Sequence, residues 1–350
     1  MNWMRRLIAF LAVLGSTAAL AQHRWREHAV PFVSPQVFVA MQASHWYQDR
    51  ATDWLRASLD LQHALAADCE RRRGWPTARQ AWRHSALTWS RLSTVAVGPL
   101  VDRRSARQVD FQPTRPEAIR KALGWVAEGP LDSQRLGSAA RGLPALEWLL
   151  WSAQAPGPSP GVCRYSALVA QDLLAEADAL DAAFRLRAQT PASEEAAVID
   201  QLSEALNQWL GGLDQLRMQA IVRPLAQART RGQHSLQLPR GLAGEAVADR
   251  MARWSTLRAL ALFDAPVAPP AGSALVPIET MLRGTGRNAL ADRLLQQGRA
   301  VDKALEAARG DAPRALQAAA AELAALRHLV EEDVASALDI RIGFSDADGD

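Results

Sequence analysis

The sequence predicts an all-α protein built from two four-helix-bundle-like domains packed side by side. Ala, Leu, Arg, Glu and Gln dominate long segments in which apolar residues recur every three or four positions. Runs of β-branched residues that alternate at period two are almost absent. Each half of the chain contains about four helical segments, and paired helical bundles are the natural architecture for such a pattern.

Residues 1–21 have the pattern of a secretory signal peptide. Arg5 and Arg6 precede a short apolar core, and an Ala-x-Ala cleavage site ends at Ala21. The apolar core is too short to cross a bilayer, and no later stretch offers about 18 unbroken apolar residues. We therefore expect a periplasmic protein that has no membrane span after the signal peptide is cleaved.

The charge balance does not indicate a nucleic-acid partner. The net charge is +3 and the sequence pI is about 9.3, which could favour an acidic surface as partner. Two of the arginines leave with the signal peptide, and the other basic residues are scattered among acids. We therefore expect no nucleic acid to bind.

The chain contains two cysteines, Cys69 and Cys163. In an oxidising compartment we expect them to form a disulfide, which would stabilise the fold by about 2–4 kcal/mol. The alternative is a pair of buried free thiols. Two cysteines are too few for a zinc site, and no Cys-x-x-Cys redox motif is present.

The first predicted domain covers residues 22–190. Its helices are predicted over 35–72, 76–97, 116–126, from Pro144 onward, and 163–187. In the second of these helices Trp82, Ala86 and Trp89 lie on one face. An aromatic stripe with this spacing is typical of a core position.

A loop is predicted over residues 101–116. Pro113 and Pro116 favour an extended backbone there, because proline fixes its own φ and restricts the residue before it. Asp110 and Arg115 lie in this loop and can either pair with each other or reach a binding site.

The second predicted domain covers residues 191–350, after a boundary at 189–193 that carries helix-start residues. Polar, irregular sequence is predicted over 223–238, and a Pro/Ala linker over 265–271. Helices are predicted over 194–222, 241–263, 276–283, 287–309 and 312–338.

Glu147 carries the single charge between Arg141 and Arg164. Pro144 is predicted to begin a helix, which puts Glu147 about one turn in, on the same core-facing stripe as Leu143. Burying an ionised carboxylate without a partner is costly. Two interpretations are open: an acid at a helix start that accepts backbone N–H groups, or the anchor of a functional site.

In segment 142–151, Gly142, Pro144 and Glu147 precede the sequence Trp-Leu-Leu. This pattern resembles the Gly-x-His-x-x-Glu motif of the imelysin-like family, exported bacterial proteins that are sometimes classed as metallopeptidases and often linked to iron uptake. Pro144 stands where the family has histidine. Supporting matches are the Ala81-Trp82 helix, the Asp110-Phe-Gln-Pro113 loop, Arg253-Trp-Ser255 and the tail from Gly343 to Asp350.

The resemblance covers most of the exported chain and implies two four-helix bundles with the motif near their interface. Histidine and glutamate one helical turn apart can meet one metal ion, but proline has no ligand atom, so we expect no catalysis by this pair. Glu147 is left as a candidate ligand for iron or another divalent cation. The candidate site residues are Gly142, Pro144, Glu147, Asp110, Arg115, Trp82 and Ser255.

Three functions are compatible with these residues. The first is a non-catalytic binding or accessory protein of iron acquisition, in which Glu147, Asp110, Arg115 and the terminal carboxylates line a cleft between the domains. Carboxylates suit hard cations, whereas Arg115 suits an anionic chelate or a structural ion pair. The second is a metallopeptidase, and the third is a helical scaffold that binds another envelope protein.

Overall fold

The computed structural model describes residues 30–128, 136–232, 235–263 and 272–343. These ranges fold into helices and contain no β-strand, which confirms the predicted all-α class. The signal peptide predicted over 1–21 and the terminal carboxylates of 346–350 lie outside the described residues.

Fifteen α-helices lie within these ranges. In the first half they are α1 (Pro35–Gln42), α2 (Gln48–Arg71), α3 (Pro76–Ser93), α4 (Pro99–Asp102), α5 (Ser105–Val109), α6 (Pro116–Glu128), α7 (Gly142–Trp151) and α8 (Pro160–Gln189). In the second half they are α9 (Glu195–Arg217), α10 (Arg223–Arg231), α11 (Ala246–Ala261), α12 (Ile278–Gly284), α13 (Asn288–Ala307), α14 (Pro313–Leu329) and α15 (Ala335–Ala337). Single π-helical turns at Ala43–Tyr47, Met218–Val222 and Val330–Val334 join α1 to α2, α9 to α10, and α14 to α15.

Several helices begin where local chemistry favours a start. The Ser34 and Ser159 hydroxyls accept hydrogen bonds from backbone N–H groups in the first turns of α1 and α8, and a proline follows each serine. Helix α8 therefore begins at Pro160 rather than at the predicted residue 163. Helix α7 begins at Gly142 rather than at Pro144, because a proline within the first turn removes no hydrogen bond that the helix needs.

The prediction that two segments are irregular was wrong in part. The stretch predicted as a loop over 101–116 contains the short helices α4 and α5, and becomes irregular only from Asp110. The stretch predicted as irregular over 223–238 is helical as far as Arg231. A π turn absorbs one extra residue before Pro224, and Gly232 ends the helix in the left-handed region at φ 61°.

The packing links the two halves of the chain. In the first half α2 packs against α3 and α8, and in the second α13 packs against α14 and α9 against α14. Helix α3 also contacts α11, and α1 contacts α9, so the buried apolar side chains of both halves form one connected core. The predicted division near residue 190 stays a prediction.

The aromatic stripe and the disulfide are confirmed. Trp82, Ala86 and Trp89 are each at most 1% exposed. Cys69 near the end of α2 and Cys163 near the start of α8 form a disulfide with an S–S distance of 2.11 Å. None of the helices in the described ranges is long and apolar enough to cross a membrane.

Candidate functional site

Glu147 lies in the buried helix α7 and contacts the second half of the chain. Its side chain is only 3% exposed, as the core-facing stripe predicted. Its Oε1 atom accepts a hydrogen bond from the backbone N–H of Ala243 at 3.1 Å. The acid therefore does not satisfy the start of its own helix, and instead joins α7 to a segment 96 residues away.

Four charged side chains from both halves, of which Arg240 and Asp249 are buried, form an ion-pair network beside Glu147. Arg240 contacts Asp110, with Nη2 to Oδ2 at 2.6 Å, and its Nε lies 3.8 Å from Asp249 Oδ1. Arg253 contacts Asp249, with Nε to Oδ2 at 2.9 Å, and its Nη2 lies 3.7 Å from Asp110 Oδ2. Two guanidinium groups thus balance two carboxylates, and the charge of Glu147 would be in excess.

The environment of Glu147 raises its pKa above the ordinary value of 4.5. Burial is the largest cause, and the negative charges of Asp110 and Asp249 add to it. The positive charge of Arg240 and the hydrogen bond from Ala243 act in the opposite direction but are outweighed. Glu147 therefore keeps its proton to a higher pH than an exposed glutamate does.

The environment of Asp249 lowers its pKa. Burial by itself raises its pKa, but the positive charges of Arg253 and Arg240 and a hydrogen bond from the Ser90 hydroxyl outweigh burial and hold the pKa below its usual range. For Arg253, burial favours the neutral form, yet Asp249 and Asp110 raise its pKa overall. The pKa of Asp249 is thus lowered while that of its neighbour Glu147 is raised.

Gly142 brings the loop residue Asp110 close to α7. Its φ is +76°, and a Cβ atom at this position would lie 2.3 Å from the carbonyl oxygen of Val109. Only glycine adopts this backbone conformation readily and allows so close an approach. The glycine of the motif therefore fixes the distance between the start of α7 and the end of α5, which Asp110 follows directly.

Arg240 is held in a strained conformation at the centre of the network. Its side chain is 1% exposed, and its backbone φ is +59°, which is unusual for a residue other than glycine. The Trp82 ring lies beneath its guanidinium at 5.6 Å, and the indole N–H of Trp82 donates to the carbonyl of Leu143 in α7. Trp82 therefore supports the network from the core side.

Glu147 and Arg240 also line an open cleft of about 740 Å³. This volume is in the range of small-molecule sites. The lining comes from four segments, within 112–116 and 147–154 of the first half and 219–227 and 236–242 of the second. The cleft therefore lies between the two halves of the chain, and Arg240 is the member of the ion-pair network that lines it.

The structure brings together some of the predicted site residues and leaves out two. Glu147, Asp110, Gly142 and Trp82 belong to the network or position it, and Pro144 is buried one turn before Glu147 in α7. Arg115 is exposed and forms no ion pair with any residue in the described ranges, including Asp110. Ser255 is exposed on α11, and its hydroxyl donates to the carbonyl of Ala252.

Sequence reasoning missed Arg240, Ala243 and Asp249. Asp249 lies one helical turn before Arg253, and this i, i+4 spacing of opposite charges was a usable signal on a predicted helix. Arg240 lies between the segment predicted as irregular over 223–238 and the helix predicted over 241–263, and nothing in its local sequence shows that it is buried.

The residues present do not fit a protein-bound metal ion. Within the described ranges no group of three or more His, Cys, Asp or Glu side chains could hold one. Glu147 is the one acid among the cleft-lining residues described, and the positive charge of Arg240 acts on it. A metal ion at Glu147 would have too few oxygen ligands and an adjacent positive charge.

Comparison with known proteins identifies the class to which this fold and motif belong. The imelysin family model (peptidase M75) matches residues 47–336. The chain therefore belongs to the imelysin family. No curated protein gives a significant match.

Two solved structures share the fold. An imelysin-like protein from Psychrobacter arcticum 273-4 is 18% identical, with a TM-score of 0.72, and the match covers 91% of this chain and 100% of that one. A protein assigned by name as an iron-regulated protein A precursor, from Parabacteroides distasonis ATCC 8503, is 15% identical, with a TM-score of 0.61. That match covers 84% of this chain and 94% of the other.

Proposed function

We propose that this imelysin-family protein is an exported, non-catalytic binding component of bacterial iron acquisition, which holds its ligand in the cleft beside Glu147 and Arg240. The observation that carries the proposal is the cleft itself. It has the volume of a small-molecule site, and its lining includes a buried acid and a buried guanidinium.

Two features support binding rather than catalysis. A metallopeptidase needs about three protein ligands for its metal ion and a general base. Pro144 occupies the position of the motif histidine, and it can neither bind a metal ion nor transfer a proton. Further metal ligands would have to lie next to Glu147, but the groups found there are the cation Arg240 and the N–H of Ala243, which cannot bind a metal ion.

Other features support export and a link to iron. The N-terminal signal-peptide pattern and the Cys69–Cys163 disulfide both suit an oxidising compartment outside the cytoplasm. The relative from Parabacteroides distasonis is named as an iron-regulated precursor. These features favour the periplasm as the location and iron, free or chelated, as the cargo.

Calorimetry on the exported protein tests the proposal. The protein is titrated with ferrous ion, ferric ion and ferric citrate, alongside Glu147→Gln and the matched surface variant Glu117→Gln, whose parent side chain is 90% exposed. We expect saturable binding of at least one iron form, weakened by Glu147→Gln and unchanged by Glu117→Gln. Absence of binding to all three forms would reject the proposal.

The two alternatives make different predictions in the same preparation. Zinc-dependent cleavage of an unfolded protein, lost with a chelator and in Glu147→Gln, would favour a metallopeptidase. Recovery of one stable envelope partner, with neither iron binding nor cleavage, would favour a scaffold.

A further inference from the structure

The part of the cleft wall that the second half of the chain contributes contains a polar stripe that no other described part of the fold contacts through a hydrogen bond or ion pair. Gln219, Arg223 and Gln227 follow one another at four-residue steps through the π turn and α10, and all three line the cleft. Four-residue spacing puts side chains on one helix face. Within the described ranges none of the three makes a side-chain hydrogen bond or ion pair, so this face is available to a ligand.

The guanidinium of the cleft-lining residue Arg240 keeps one donor atom without a partner. Arg240 donates through Nη2 to Asp110 and its Nε lies 3.8 Å from Asp249 Oδ1, whereas its Nη1 atom has neither a hydrogen-bond partner nor an ion-pair partner among the residues described. A buried guanidinium N–H without a partner costs free energy, and a ligand acceptor would remove that cost. The Nη1 atom of Arg240 and the guanidinium of Arg223 therefore favour the same kind of ligand group, an acceptor.

The charges on the cleft lining favour a ligand group that is negatively charged. Arg240 and Arg223 are cations, and the one acid on the described lining, Glu147, has a raised pKa. A neutral carboxylic acid donates a short hydrogen bond to a carboxylate oxygen. Guanidinium groups bind planar carboxylates through two parallel hydrogen bonds, and glutamine amides pair with hydroxyl and carbonyl oxygens.

We propose that the ligand of this cleft is an oxygen-rich organic carboxylate, held by Arg240, Glu147 and the stripe of Gln219, Arg223 and Gln227. This inference rests on the proposed ligand-binding role of the cleft and specifies its chemistry. Any iron that binds enters as a chelate, with its hard oxygen ligands supplied by the carboxylate rather than by the protein.

Titration calorimetry with iron-free citrate tests the inference. The protein is compared with Arg223→Gln and with Arg229→Gln, an exposed arginine of the same helix that does not line the cleft. We expect citrate to bind, Arg223→Gln to weaken binding about tenfold or more, and Arg229→Gln to leave it unchanged. Arg240 is not used for this test because its replacement would also disturb the buried network.

Two further probes test whether the ligand must carry a carboxylate. Neutral trimethyl citrate and inorganic sulfate should each bind at least about tenfold more weakly than citrate, because they lack a carboxylate. Equal affinity for either probe, equal effects of the two arginine variants, or no citrate binding would overturn the inference.

Comparing the binding of ferric ion with the binding of citrate distinguishes a failure of this inference from a failure of the proposed iron role. Binding of ferric ion alone, without binding of citrate, would support iron binding and overturn the carboxylate. Binding of citrate that iron does not alter would support the carboxylate and count against the iron role.

Discussion

Glu147 is buried without an ion-pair partner of its own among the described residues. Its neighbours Asp110 and Asp249 already balance Arg240 and Arg253, so an additional negative charge in this cluster is unfavourable. Burial adds to this effect and raises the pKa of Glu147. The acid is thereby prepared to donate a hydrogen bond as well as to accept the one from Ala243.

The raised pKa predicts how Glu147→Gln changes stability with pH. Because the pKa in the folded protein exceeds that in the unfolded chain, the folded state retains a proton that the unfolded state releases. Wild-type stability therefore falls as pH rises from about 4.5 through the raised pKa of the folded state. Glutamine is neutral and keeps the oxygen that accepts from Ala243, so the variant should lack this fall and gain stability relative to wild type over the same window.

Thermal unfolding between pH 4 and pH 8 measures this difference, with Glu117→Gln as the exposed control. A variant that loses stability relative to wild type as pH rises would show that the carboxylate is needed in its ionised form.

Asp249 differs from Glu147 because its environment lowers its pKa rather than raising it. Its carboxylate binds Arg253, Arg240 and the Ser90 hydroxyl, and it is 2% exposed. Asp249→Asn should lower the free energy of unfolding by about 3–5 kcal/mol, because two buried guanidinium groups lose their main counter-charge. Urea unfolding at pH 7 measures the loss.

The matched control is Asp333→Asn, which removes an exposed ion pair with Arg293. That change should cost less than about 1 kcal/mol. Similar losses for the two variants would contradict the assignment of Asp249 to a buried network.

At the scale of elements, the motif glycine determines how α7 meets the loop before it. Gly142→Ala places a Cβ at φ +76° and 2.3 Å from the Val109 carbonyl oxygen. The free energy of unfolding should fall by about 2 kcal/mol or more, because both the backbone and the contact are strained. Gly137→Ala is the control, since no atom lies within 4 Å of its added Cβ and its φ is −63°. Equal urea midpoints for the two variants would show that the close approach is not required.

The elements differ in how far the sequence predicts them. Long amphipathic helices such as α2, α3 and α13 are predictable because their apolar spacing repeats over many turns. The π turn at Met218–Val222 and the continuation into α10 are not, because the polar composition there reflects exposure of one face to the cleft rather than a loop.

The candidate site was predictable only on the side that carries the motif. Gly142 and Glu147 stand out in an apolar segment, and Asp110 lies in a recognisable proline-containing loop. Arg240, Ala243 and Asp249 come from far along the chain, and their part in the site depends on the packing of α11 against α3. Short sequence patterns do not contain such long-range contacts.

At the scale of the whole molecule, the disulfide joins α2 to α8 across 94 residues. Closing so long a loop restricts the unfolded chain, so reduction should lower the free energy of unfolding by about 2–5 kcal/mol. Urea unfolding with and without a reductant measures the effect. The double variant Cys69→Ala, Cys163→Ala should be insensitive to the reductant, and a wild-type protein equally insensitive would contradict a stabilising bridge.

The whole fold also determines where a ligand can bind, because the cleft needs walls from both halves of the chain. Hydrogen–deuterium exchange with and without ferric citrate tests this claim most directly. We predict slower exchange confined to segments within 112–116, 147–154, 219–227 and 236–242, and a smaller effect in Arg223→Gln. Unchanged exchange in these four segments, or protection only elsewhere in the chain, would contradict a binding site at Glu147 and Arg240.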